Sequence, residues 1–245
     1  MFTESQSGDT ARATLRVGGL AIGAYIAGSI LVVVTIGLLE SVGIRIVDRP
    51  ARRLLLGTVL LQGVAFGGVA IGYLIRSNKL GDLLRIHAPS WKDAATIIVG
   101  TVGLVGFVMI ISVILETYGI SVAQNNVVST ARDAPMTFLL LVPLSILLVG
   151  PGEELLYRGV VQGTLADVSH PIRAVILASA IFSLIHIFSL TGDGKILYLG
   201  IVFVQALVLG GTYLYTSNLV VPSLIHGFYN AIQFAFAYLS AIGLI

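Results

Sequence analysis

The sequence predicts an all-α fold: a polytopic transmembrane bundle of about seven to eight helices enclosing an intramembrane polar chamber. Three observations carry this. Of 245 residues, 56% are hydrophobic and 11% charged, whereas a soluble domain carries roughly 25% charge; mean hydropathy is +0.99. The apolar residues gather in runs close to the ~20 residues a helix needs to cross a bilayer. Within the later runs sit a few ionisable and amide side chains that must satisfy one another. The polar stretches leave no room for a second domain, so residues 1–245 read as one integral membrane domain, with a motif-bearing core at 136–241. The chain has no cysteine, which excludes disulfides, thiolate metal sites and a cysteine nucleophile. A net charge of +2 implies no nucleic-acid partner. Membrane lipid is the expected surround, and a cell-membrane location the expectation.

Seven runs qualify as spans: Val17–Leu39, Leu54–Ile75, Ala94–Leu115, Thr137–Leu165, Ile172–Leu190, Ile196–Tyr215 and Leu219–Leu239. The first follows a mixed, non-basic polar tail and is too long for a signal-peptide core, so it reads as a retained helix. Gly19 and Gly23, Gly63 and Gly67, and Gly68 and Gly72 show the small-xxx-small spacing that lets helix backbones approach closely. The stretch Arg76–Asp93 carries Leu80, Leu83, Leu84 and Ile86 among charges and reads as a short interfacial helix ended by Pro89. Ser90 is a good N-cap for the third span, with Asp93 at its third position and Trp91 at interface depth. The polar stretch Glu116–Pro135 reads as a plain connector in preference to a lid. The fourth run contains Gly150-Pro151-Gly152 and reads as one kinked helix; a break there would make an eighth span. The loops Arg45–Arg53 and Arg76–Lys92 are both basic and lie on opposite sides, so the positive-inside rule gives no vote, while Arg12 and Arg16 favour a cytoplasmic N-terminus.

The fourth run holds Glu153, Glu154 and Arg158. A charge at bilayer depth costs about 2.5–3.5 kcal/mol on insertion scales, so such residues are rare and usually functional. Glu154 and Arg158 are four apart, on one helix face, with the acid N-terminal to the base, the favourable order for a pair. Glu153 points about 100° away and finds no partner in its own segment. A carboxylate so placed suits a general base for water. The bland alternative is that all three charges form a packing network between helices. Phe182 and His186 are four apart on the fifth run, and His226 and Asn230 four apart on the seventh. Two histidines on separate helices, an amide and a lone glutamate need one shared polar cavity. His170 lies in a short loop before Pro171, and His87 in the polar loop; both read as solvated.

Two chemistries fit. In the first, Glu153 and His186 deprotonate a water while His226 and Asn230 donate to the oxyanion of a tetrahedral intermediate. In the second, Glu153, His186 and His226 hold Zn²⁺ with water in the fourth position. The His-Glu-x-x-His helix of ordinary zinc proteases is absent.

Glu-Glu-x-x-x-Arg (Glu153, Glu154, Arg158), Phe-x-x-x-His (Phe182, His186) and His-x-x-x-Asn (His226, Asn230) occur in order on successive membrane segments. In this the chain resembles the CAAX protease and bacteriocin-processing family, CPBP or Abi, which includes the type II CAAX prenyl endopeptidases. The resemblance covers Gly152–Asn230; Tyr157 also suits its pattern. It implies an intramembrane endopeptidase whose chamber opens to the cytosolic side. It further implies Glu153 and His186 as water-activating residues, His226 and Asn230 as the oxyanion site, and Glu154 as a supporting acid paired with Arg158. No cofactor is implied; the alternative is a zinc enzyme using Glu153, His186 and His226. The expected partner is a peptide or prenylated protein substrate. Against this stand a non-catalytic immunity or scaffold protein, and a transporter, which small size and the absence of inverted repeats disfavour.

Overall fold

The computed structural model describes the backbone of residues 4–132 and 134–245 and side chains from Gly8 onward within them. Residues 1–3 of the polar N-terminal stretch, and residue 133 of Glu116–Pro135, lie outside the described residues. Among the described residues nine helices follow in order: α1 (Glu4–Ser41), α2 (Pro50–Arg76), α3 (Leu80–Leu83), α4 (Trp91–Thr117), α5 (Asn126–Arg132), α6 (Met136–Ala166), α7 (Pro171–Ile185), α8 (Lys195–Thr216) and α9 (Val220–Ala241). The last turn of α7 tightens to 3₁₀ over His186–Ser189. Two short strands, β1 (Gln124–Asn125) and β2 (Leu190–Thr191), pair antiparallel with Gln124 opposite Thr191. The protein is an all-α membrane bundle, as the composition predicts.

Among the described residues six helices are long and apolar enough to cross a membrane: α1, α2, α4, α6, α7 with its 3₁₀ turn, and α8. The seventh expected span, α9, has 22 residues but falls outside that set, because His226, Tyr229, Asn230 and Gln233 dilute its apolar character. These residues face inward, so their polarity is spent on the site and not on lipid. α6 is the central helix. Its best apolar window is 44% buried, against 11% for α1 and for α2. Around it a core forms from Val17 and Ala21 of α1, Phe66 and Leu74 of α2, Leu156 and Val160 of α6, Ala178 of α7 and Ala206 of α8. The outer faces of α1 and α4, such as Ile26, Ile30 and Val33 or Val99, Val102 and Ile110, are exposed apolar surface suited to lipid.

Several expectations are corrected. The polar N-terminal stretch is not a tail from Glu4 onward: it is the first turns of α1, tied down where Thr10 Oγ1 donates to the Val168 carbonyl at 3.2 Å and Ala13 is buried. The interfacial helix shrinks to α3, whose Leu83 is buried against the end of α6 and whose Leu83 carbonyl accepts from Tyr213 at 3.3 Å. The connector Glu116–Pro135 is ordered as β1 and α5. Ser90 caps α4 as expected, and Asp93 completes a capping box, with Asp93 N–H donating to Ser90 Oγ and Ser90 N–H to the Asp93 carboxylate.

The small-xxx-small pairs do not mark the close approaches. Gly19, Gly23, Gly67, Gly68 and Gly72 face open space, and Gly63 makes only ordinary contact with Leu148. The helices touch backbone to backbone elsewhere. A methyl on Gly227 of α9 would sit 2.8 Å from Ile146 Cα of α6, and one on Gly150 would overlap the Ser223 carbonyl. One on Gly152 would overlap the Gln62 carbonyl of α2. These contacts clamp α2, α6 and α9 together at the level of the glutamates.

α6 runs unbroken through Pro151, so the single-helix reading holds. A π-helical turn, Ser145–Val149, precedes the proline. Proline removes an N–H and crowds the carbonyl four residues back, and a π-turn shifts the bonding register to accommodate this. A second π-segment, Leu155–Gln162, follows Glu154, and a third, Thr58–Phe66, lies in α2 opposite.

The start of α1, the end of α2, the α6–α7 turn and the α8–α9 turn share one end of the bundle. Lys79 pairs with Asp167 there, and Leu219 N–H donates to the Arg85 carbonyl at 2.7 Å. β1, β2 and α5 lie at the other end, α5 packing on the first turns of α2.

Candidate active site

The motif residues arrive from three helices, of which α6 and α9 are held close by the glycine contacts. Glu153, Glu154 and Arg158 come from α6, Phe182 and His186 from the end of α7, and His226 and Asn230 from α9. They divide between two environments. Glu154 and Arg158 are fully buried. Arg158 Nε donates to Glu154 Oε2 at 2.8 Å, and the other oxygen, Oε1, faces His226 Nδ1 at 3.0 Å. The pair is therefore not the bidentate fork that an Arg–carboxylate pair in apolar surroundings favours. One carboxylate oxygen serves arginine and the other serves histidine, and Nη1 and Nη2 find no hydrogen-bond partner among the described residues. The guanidinium instead lies over the Phe182 ring, 5.2 Å from its centroid, where a cation–π contact is favourable.

Glu153, Phe182, His186, His226 and Asn230 line a cavity of about 230 Å³. Glu153 is 6% exposed. Its Oε1 accepts from Gln62 Nε2 at 2.9 Å, and its Oε2 lies 3.9 Å from His226 Nε2. His186 Nδ1 sits 2.8 Å from the Phe182 carbonyl. A carbonyl only accepts, so Nδ1 carries a proton and Nε2 is left for the cavity. His226 stands between both glutamates. Its Nδ1–H is fixed by Glu154, which orients Nε2 towards Glu153. Phe182 is the hub of the motif set: its ring meets Tyr157 at 4.8 Å, His186 at 4.7 Å and His226 at 5.9 Å. A phenylalanine one turn before His186 thus walls the cavity and sets both imidazoles.

Sequence reasoning missed part of the wall. Gln62 and Thr58 of α2, Asn125, Val127 and Val128 of the supposed connector, and Tyr198 and Tyr229 all line the cavity. Asn125 Nδ2 approaches the Tyr198 hydroxyl at 3.5 Å, and Gln233 Nε2 donates to the Tyr229 hydroxyl at 3.2 Å. Among the glutamines, Gln205 lines the cavity, while Gln162 donates to the Gly210 carbonyl at 3.1 Å and serves helix packing. His170 is exposed and caps α7, accepting from Ile172 N–H at 3.3 Å, and His87 is exposed.

Among the described residues, no group of three or more histidine and carboxylate side chains is arranged to hold a metal ion. Glu153, His186 and His226 share the cavity, each histidine with Nδ1 hydrogen-bonded elsewhere and Nε2 left towards it.

Residues 135–232 match the family model described as Rce1-like, type II CAAX prenyl endopeptidase. This part of the chain is Rce1-like. The match spans α6 to α9 and contains all three motifs, which bears out the resemblance read from them. At the level of the family, the match supports a membrane protease of the CAAX type. Neither a curated protein nor a solved structure matches the chain. The Rce1-like segment supplies every ionisable residue of the cavity, whereas Gln62 and the Asn125–Val128 wall come from outside it.

Proposed function

We propose that this protein is an intramembrane endopeptidase that hydrolyses a peptide bond of a prenylated C-terminal or other membrane-associated peptide, in the cell membrane. The observation that carries the reading is the segregation of the acids. Glu153 shares the cavity with His186, His226 and Asn230, while Glu154 and Arg158 lie behind its wall. A water between Glu153 and His186 loses its proton to the carboxylate or to the free Nε2 of His186, and the hydroxide attacks the peptide carbonyl carbon. The oxyanion takes hydrogen bonds from the Asn230 amide and from His226 Nε2–H. The latter is present when His226 is imidazolium. The proton then passes to the leaving amine as the C–N bond breaks. Among the described residues no lysine or arginine lines the cavity, which disfavours acidic substrate residues beside the scissile bond.

The experiment is peptide cleavage in lipid nanodiscs, read by mass spectrometry on a mixed pool of prenylated and unprenylated peptides, with and without chelator. Cleavage that survives chelation supports the water-activating role of Glu153 and names the substrate class. Loss on chelation with rescue by Zn²⁺ would make Glu153, His186 and His226 ligands. No cleavage of any peptide would favour a non-catalytic scaffold.

A further inference from the structure

We infer that Gln62 is a positioning residue for Glu153, holding one carboxylate oxygen so that the other is presented to the cavity. The inference rests on the reading of Glu153 as the base. The hydrogen bond from Gln62 Nε2 to Glu153 Oε1 is 2.9 Å, and it joins residues 91 positions apart in sequence. Oε2 is thereby turned towards His226 Nε2 and the space where water would sit.

Three features make this contact a built one. The backbone of Gln62 is fixed against α6 at the residue adjoining Glu153, because Gly152 leaves no Cβ between its own Cα and the Gln62 carbonyl. Gln62 lies inside the π-segment Thr58–Phe66; π-turns shift side chains from the α-helical register and occur frequently at functional sites. Thr58, one turn earlier, lines the same cavity, so this face of α2 is committed to it. The residue type also matters. A lysine here would neutralise Glu153 as an ion pair, and an apolar residue would leave the carboxylate free to rotate. A neutral amide orients it and leaves it basic. The acid that works is thus held from α2, while the acid that anchors is held from its own helix.

The test uses Gln62→Leu and Gln62→Glu in the full chain, in nanodiscs. The carboxylate bands of Glu153 are identified by infrared difference between wild type and Glu153→Gln. In Gln62→Leu these bands shift, kcat falls on the order of 10²-fold or less, the scale of a displaced reactive group, and KM and thermal stability stay near wild type. Gln62→Glu can donate only as the carboxylic acid, so its kcat declines with rising pH across a range where wild type is steady. Unchanged Glu153 bands with unchanged kcat would overturn the inference. So would a loss of kcat accompanied by an equal fall in thermal stability, which marks packing alone. Shifted bands in a protein whose wild type cleaves no peptide would instead leave the contact standing and sink the peptidase reading.

Discussion

Glu153 and Glu154 are neighbours in the chain with opposite surroundings. Glu154 is fully buried and both of its oxygens are taken, by Arg158 at 2.8 Å and by His226 at 3.0 Å. Glu153 has one oxygen held by Gln62 and the other open to a cavity shared with two histidines and an amide. One step along a helix turns a side chain by about 100°, so a single apolar helix can bury one acid as an anchor and expose the next as a reagent. The buried pair does not by itself stabilise the bundle, since desolvation offsets much of its Coulombic gain. Its effect is orientation: Glu154 holds His226, Arg158 holds Glu154, and Phe182 packs on both Arg158 and His226.

The largest effect that would sharpen this contrast is on activity. Glu153→Gln removes the base and should lower kcat by about 10²–10⁴-fold with thermal unfolding unchanged; a variant that still cleaves at the wild-type rate would reassign the base to His186 alone. Next comes stability. Glu154→Gln leaves Arg158 buried with its charge uncompensated, which costs about 3–5 kcal/mol, seen as a lowered unfolding temperature in detergent or lipid. Gly152→Ala forces α6 off the Gln62 carbonyl and should cost about 1–3 kcal/mol as overpacking does. The Glu153 face is displaced with it, so calorimetry and cleavage should fall together. The smallest effect is that of Arg158→Lys. Because only Nε bonds the carboxylate, a lysine can supply the one donor, but it loses the planar face over Phe182, so a loss smaller than that of Glu154→Gln is expected. A loss as large as that of Glu154→Gln would show that Nη1 and Nη2 matter through partners such as water.

The charged face of this contrast was legible in the sequence because charge in an apolar run is conspicuous. Glu153, Glu154, Arg158, His186 and His226 stand out against leucine and valine, and helical spacing alone pairs Glu154 with Arg158. Ser90 with Asp93 was equally plain, since a cap is local. Gln62 was not. Gln62, Gln162 and Gln205 look alike as lone amides in apolar helices, yet one orients Glu153, one packs on Gly210 and one lines the cavity. Only tertiary placement tells them apart. The same limit hid the helix contacts. Spacing picked Gly19 and Gly23, which share a face, but it does not say whether that face meets a helix or open space; the crossings fell at Gly150, Gly152 and Gly227 instead. The stretch around Asn125–Val128 reads as connector because its composition is polar, a property shared by loops and by cavity walls.

The most direct test of the division between the two acids is to unfold and assay Glu153→Gln and Glu154→Gln side by side in the same nanodiscs. The account predicts that Glu153→Gln unfolds at the wild-type temperature and does not cleave, while Glu154→Gln unfolds at a clearly lower temperature. Equal unfolding temperatures for the two variants, or wild-type cleavage by Glu153→Gln, would contradict it.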